Sequence, residues 1–235
     1  MATDKVLVGV LAIQGAFIEH VKMLGRAAKQ LDCESRVQVV EVREPSQLAE
    51  LAGLVIPGGE STTMSLFFGK NLFGELLKSW TEKRAVLGTC AGLILLSNQL
   101  EGQKEGGQAL IGGLDVTTSR NSFGRQVDSF EATLKLADPA LHSNQSLTTI
   151  GSHAPLTTSQ CAAKPDEYHG IFLRSPRILS VDKPEVKVLA TLESEGKATP
   201  VAVRQNNLMA TCFHPELTTD TRWHCYFLKM CMKMS

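Results

Sequence analysis

Val6 to Ile13 is a continuous apolar run, the pattern of a strand covered on both faces. Past Gln14-Gly15 the period changes. Phe17, Val21, Leu24, Ala28 and Leu31 recur at spacings of four, three, four and three, which predicts an amphipathic helix. Val37 to Val42 and Leu51 to Ile56 are further β-rich runs, the second stopping at Pro57-Gly58-Gly59. A helical stretch from about Asn71 to Lys83 leads into the short run Ala85 to Leu87, and a helix opens again beyond Gly88. Strands alternating with helices predict an α/β fold, a mostly parallel sheet flanked by helices.

The second half changes character. Gly102 to Gly113 reads as a glycine-rich loop, and Phe130 to Leu136 alternates as an antiparallel strand does. Residues 137 to 168 are rich in Ser, Thr, Ala, Gln and Pro with no period, and read as a long surface insertion. Val186 to Leu192 and Val201 to Val203 predict strands, and Asn206-Asn207 a hairpin turn before Leu208 to Phe213. Thr219-Asp220 suits the cap of a last helix running to about Met232. One domain with an antiparallel extension accounts for the 235 residues.

Composition narrows the function. Lys+Arg and Asp+Glu both number 24, so no basic stripe for a nucleic acid is expected. No apolar run reaches the ~18 residues that a membrane span needs. The apolar opening could pass for a signal peptide, but Asp4 spoils a basic n-region and no small-residue cleavage site follows. The six cysteines include no CxxC pair, which fits reduced thiols and a cytoplasmic location. No His/Cys/Asp/Glu spacing suggests a metal, and no cofactor is implied.

Gly88-Thr89-Cys90-Ala91-Gly92 follows a strand and opens a helix. Two glycines allow a sharp turn that presents Cys90 at a helix N-terminus, where free N–H groups favour thiolate. This is the elbow of Gly-x-Ser-x-Gly hydrolases with sulfur for oxygen; a small buried cysteine would fit the same residues. A base is at hand in His214-Pro215-Glu216. Proline biases the tripeptide to an extended form, so His214 and Glu216 should project to one side, and the carboxylate can take the Nδ1 proton. His20, His142, His153, His169 and His224 carry weaker claims, a lone histidine being more often a surface or satisfied core residue. Pro57-Gly58-Gly59-Glu60-Ser61 ends a buried strand, where ligands sit in open α/β sheets. Its glycines would let backbone N–H groups meet an oxyanion.

Together, Pro-Gly-Gly-Glu-Ser, Gly-Thr-Cys-Ala-Gly and Phe-His-Pro-Glu resemble the class I (triad) glutamine amidotransferases. Leu11 to Ala16, Pro57 to Met64, Arg120-Asn121-Ser122-Phe123-Gly124-Arg125-Gln126, Asp128 to Ala132 and His214 to Leu217 further resemble the glutaminase subunits of pyridoxal 5′-phosphate synthase. The resemblance runs along nearly the full chain. It implies a flavodoxin-like fold, hydrolysis of L-glutamine to glutamate and ammonia through a thioester, and an ammonia-accepting synthase subunit as partner. Carried over by position, Cys90 is nucleophile, His214 base and Glu216 its orienter. Gly59, Glu60, Ser61, Arg120, Leu173 and Arg174 would meet the substrate. Gly58, Gly59 and Ala91 would form the oxyanion hole, and Gln14-Gly15 would link the site to the partner. Leu-Arg-Ser-Pro at 173–176 departs conservatively from the family's usual Ile-Arg-Ala-Pro, and the 137–168 segment exceeds the usual length. Two other functions fit the same residues: a γ-glutamyl peptidase on this fold, and a non-catalytic regulatory subunit.

Overall fold

A computed structural model describes residues 5–60, 64, 68, 73–102, 109–120, 129–142 and 164–234. In chain order the first half supplies β1 (Val6–Leu11), α1 (Phe17–Gln30), β2 (Val37–Val42), β3 (Leu51–Ile56), α2 (Phe73–Thr81) and β4 (Ala85–Thr89). A short helix, α3 (Ala91–Leu96), leads into β5 (Ser97–Glu101) and β6 (Leu114–Ser119). Then come β7 (Ser129–Leu136), β8 (Glu167–Leu173), β9 (Arg177–Val181), β10 (Lys187–Ser194), β11 (Lys197–Gln205) and β12 (Leu208–Thr211). The last helix is α4 (Arg222–Met234).

Among these residues the larger sheet has the order β2-β1-β3-β4-β12-β11-β10-β7-β8. Its first five strands are parallel, in the flavodoxin-like order. The remaining pairings are antiparallel. A smaller sheet, β5-β6-β9, packs beside it. The parallel half reads directly from its residues: β3 and β4 are buried at every position because helices cover both faces. At the sheet edge, β2 alternates toward solvent instead.

Helices α1 and α4 pack on each other, and α4 also lies on β1, β3 and β4. The buried face of α1 is His20, Met23, Leu24, Ala27 and Ala28. Of the predicted stripe, Leu24 and Ala28 are buried, while Phe17, Val21 and Leu31 lie half-buried at its margin. A histidine stands where hydrophobic periodicity expects a hydrocarbon, because its partners are polar groups on other elements.

The two ends of the 137–168 segment belong to the fold, which narrows the predicted insertion. Pro139–Leu141 is a 3-10 turn with Leu141 buried, and Glu167 and Tyr168 already lie in β8. Arg222 ties both ends to the start of α4. Its Nη1 donates to Leu141 O (3.4 Å) and Pro165 O (3.0 Å), and its Nη2 to Glu167 O (2.7 Å). Residues 143–163 lie outside the described residues. At the other side of this clamp, Asp220 caps α4 by accepting from Arg222 N (3.0 Å).

Candidate active site

Cys90 sits between β4 and α3 at φ 51°, ψ −105°, a left-handed conformation that a non-glycine residue adopts only when its surroundings hold it there. Cys90 N donates to Thr211 O of β12 (2.9 Å), and Cys90 O accepts from Leu93 N (3.0 Å). Gly92 makes the turn possible: a Cβ there would lie 2.2 Å from Ile56 O, so α3 can pack on β3 only without a side chain. Ala91 N, the first amide of α3, has no intrahelical partner by geometry.

Phe213-His214 leaves the end of β12, beside Cys90 because β12 pairs with β4. His214 N donates to Ile171 O of β8 (2.8 Å), and Phe213 is locked among Tyr168, Phe172 and Trp223 at ring separations of 5.2–5.8 Å. Glu216 Oε1 lies 2.7 Å from His214 Nδ1, both residues being buried. The backbone differs from the extended tripeptide expected: Pro215–Leu217 is a 3-10 turn. Proline biases only the residue before it, and His214 is at φ −105°, ψ 87°; the turn then wraps Glu216 back onto the imidazole.

Burial opposes a charge on His214, but the Cys90 sulfur and the Glu216 carboxylate outweigh it and push the imidazole up to about 10. His214 Nε2 makes no hydrogen bond of ordinary geometry to the described residues. Burial likewise opposes the charge on Glu216, yet the His20 and His214 rings beside it hold its carboxyl below the usual range. The arrangement favours an imidazolium beside a carboxylate, next to the Cys90 sulfur.

A cavity of about 280 Å³ opens over this set. Gly59, Glu60, Cys90, Ala91, Arg120, Leu173, Arg174 and His214 line it, together with Ile94 and Pro176. Charges of both signs face it. Arg120 Nη2 stands 3.7 Å from Glu60 Oε1 at the half-exposed rim, and Arg174 holds a left-handed φ of 46° where the chain leaves β8. Ile94 and Pro176 gave no chemical signal in the sequence, being plain hydrocarbon walls. Ser61 and residues 121–128 lie outside the described residues.

The glycine turn departs from expectation at one position. Gly58 N donates to Thr89 Oγ1 (3.0 Å), so it is not available to an oxyanion. Gly58 instead makes room: a Cβ would sit 2.6 Å from His214 Cε1 and 3.1 Å from Cys90 Cβ. Gln14 grips the next peptide, its Nε2 donating to Glu60 O (2.8 Å) and its Oε1 accepting from Glu60 N (3.3 Å). Gly15 lies so close to this turn, at φ 78°, that a Cβ would overlap Gly58 O.

Behind the site lie two histidines that sequence reasoning set aside. His20 Nε2 is 3.3 Å from Glu216 Oε2 and 3.2 Å from Thr89 Oγ1, and its Nδ1 is 3.0 Å from His224 Nε2. All these groups are buried. Burial lowers both rings, His224 to about 3, against the attraction of Glu216, so both are neutral near pH 7. The available signal was position alone, a histidine on the apolar face of each of two helices.

The family model described as the SNO glutamine amidotransferase family matches residues 10–233. An Arabidopsis thaliana protein named "Probable pyridoxal 5′-phosphate synthase subunit PDX2" is 45% identical over 95% of this chain and 85% of its own. A Thermococcus onnurineus protein named pyridoxal 5′-phosphate synthase subunit PdxT is 39% identical over 94% of this chain and 97% of its own. A solved structure titled as a glutamine amidotransferase superposes with a TM-score of 0.72 at 35% identity, covering 96% of this chain and 98% of that one. At 11% identity and a TM-score of 0.61, a Trypanosoma brucei CTPS glutaminase domain shares the fold alone.

Proposed function

Because the chain belongs to the SNO glutamine amidotransferase family, we infer that it hydrolyses L-glutamine to L-glutamate and ammonia and hands the ammonia to a pyridoxal 5′-phosphate synthase subunit. The observation that carries this reading is the Cys90–His214–Glu216 set at the floor of a small cavity lined by both charge signs. Free glutamine carries an α-carboxylate and an α-ammonium, which Arg120 or Arg174 and Glu60 complement. The Cys90 thiolate attacks the side-chain amide carbon, and negative charge develops on its oxygen. Ala91 N and the Gly59 peptide are the donors for that oxygen, Gly58 N being engaged elsewhere. His214, as imidazolium, protonates the amide nitrogen and ammonia leaves, giving a thioester. Water then attacks the thioester carbon, His214 taking its proton while Glu216 holds the ring, and the C–S bond breaks to release glutamate and return the Cys90 thiolate beside the imidazolium.

Control by the partner fits the same turn. Gln14 fixes both ends of the Glu60 peptide group pair, so a partner docking on this rim can reorient the Gly59 amide by exchanging those bonds. One oxyanion donor is worth ~10²–10³-fold in rate. Glutamate release by the chain alone and with its synthase subunit tests the reading. Stimulation of that order is expected, with Gln14→Ala weakening the stimulated rate far more than the basal one. Equal rates with and without the subunit would refute the control mechanism, and absence of any turnover in the complex would refute the glutaminase. Among the described residues no helix is long and apolar enough to cross a membrane, and five buried cysteines are free thiols; a cytoplasmic site of action accords with both.

A further inference from the structure

We propose that His20 is a positioning residue of the site: as its Nε2–H tautomer, fixed by His224, it ties the Glu216 carboxylate to Thr89 and so to the glycine turn. The proposal rests on the glutaminase reading for what Glu216 does, but its geometry stands apart from the substrate. Glu216 uses one oxygen for His214. Its other oxygen, Oε2, makes no regular hydrogen bond among the described residues, and His20 Nε2 stands 3.3 Å from it. The same nitrogen is 3.2 Å from Thr89 Oγ1, which in turn accepts from Gly58 N. One imidazole edge therefore touches both the group that orients the base and the residue that anchors the Pro57-Gly58-Gly59 turn.

The tautomer follows from what each alternative would bury. With the proton on Nε2, His20 offers an N–H to the carboxylate and the threonine, and its bare Nδ1 accepts from His224 Nε2–H, 3.0 Å away. His224 Nδ1, which has no partner among the described residues, is then only an unpaired acceptor. With the proton on Nδ1, a lone pair would point at a buried carboxylate, and His224 would bury an Nδ1–H with no acceptor. The first arrangement turns an N–H dipole toward the charge; the second turns a lone pair on it and buries an unpaired donor.

The titratable groups that act on His20 are Glu216 and His214 of the turn after β12 and Glu19 of its own helix, and His224 of α4 stands against its Nδ1. Its neutrality beside Glu216 suits a device that supplies a dipole and no second proton. The triad then keeps a single exchangeable imidazolium, at His214.

Two experiments decide the matter. Nitrogen-15 NMR of the intact chain should show His20 and His224 both protonated at Nε2 and bare at Nδ1; a His20 protonated at Nδ1 would overturn the proposal. In the complex with the synthase subunit, His20→Ala and His20→Asn should lower kcat at unchanged KM by about 10- to 100-fold, the scale of misplacing a catalytic group. A glutamine amide reaches the place of Nε2 while an asparagine amide reaches only that of Nδ1, so His20→Gln should keep kcat within a few-fold of wild type. Equal kcat for the Gln and Asn variants would overturn the positioning role. Alkylation of Cys90 by iodoacetamide at pH 7, read by peptide mass spectrometry, gives the same ranking without glutamine. If no glutamine turnover were found, that ranking would still judge His20, and identical alkylation rates in wild type and all three variants would sink it. Should the Ala variant fail to fold, the wild-type tautomer and the Gln–Asn pair carry the test.

Discussion

The two halves of the large sheet divide the work. The parallel half, β2-β1-β3-β4 and β12, carries at its carboxyl ends the groups proposed for the chemistry and its control: Gln14 after β1, the glycine turn after β3, Cys90 after β4 and His214 after β12. The antiparallel half supplies the wall: Leu173 and Arg174 at the end of β8, with Arg120 following β6 of the small sheet. Apart from its edge strand β2, the parallel half is held by strands buried on both faces, where a displaced backbone would disturb close packing on either side. The other has strands with one wet face and tolerates change. The residues proposed for the chemistry sit on the stiff half, and those proposed for recognition, Glu60 apart, sit on or beside the adaptable one.

The sharpest way to break that division is Cys90→Ala. Glutamate release should fall at least about 10³-fold, as loss of a covalent nucleophile does, with the circular dichroism spectrum and synthase binding unchanged. Turnover near wild type would move the chemistry off the parallel half.

His214→Ala should come close to that loss, and Glu216→Gln should cost about tenfold less, since the carboxylate orients while the imidazole moves protons. The pH profile sharpens the point. Because the folded state raises His214 from 6.5 to about 10, its proton is held more tightly than in the unfolded chain. Stability from that proton is complete below pH 6.5 and is lost as pH rises through about 10. The alkaline limb of kcat/KM should therefore lie near 10 in wild type and move down in Glu216→Gln. An alkaline limb near 6.5 in both would separate the imidazole from the charges assigned to it.

The smallest effects belong to the wall. Arg174→Ala and Arg120→Ala should raise KM for glutamine by about 10- to 100-fold, the worth of a hydrogen bond to a charge, with kcat within a few-fold. If kcat fell instead and KM held, the antiparallel half would share in the chemistry and the division would fail.

The same contrast explains what could be read from the sequence. Continuous apolar runs located β1, β3 and β4 to within one or two residues, because burial on both faces shapes them, and the β-rich run Val37 to Val42 located the edge strand β2. β5, β6, β8 and β9 went unpredicted. Ser97–Glu101 and Leu114–Ser119 are mostly polar strands of a three-stranded sheet, and Arg177–Val181 is five residues with one buried, so neither periodicity nor length marks them. β8 was hidden differently, its first residues belonging by composition to the Ser/Thr-rich segment before it. At the site, residues with chemical character on short motifs were visible. Gly58 was misassigned, because the direction of an N–H depends on Thr89, a residue on another strand. His20 and His224 were passed over for the same reason. Their meaning lies wholly in partners brought together by folding.

Arg222 makes the chain between Leu141 and Pro165 thermodynamically inexpensive to vary. A single guanidinium nitrogen reaches both carbonyls, so the two ends of that stretch are fastened at one point, under the Tyr168 ring and against Asp220. Closing a loop whose ends already meet depends only logarithmically on its length, about 0.6 kcal/mol for each doubling. The stretch can therefore lengthen or shorten in evolution, or take an inserted peptide in the laboratory, while Cys90, His214 and the cavity above them feel almost none of it. The clamp works as a hem: whatever is sewn on beyond it does not pull on the cloth.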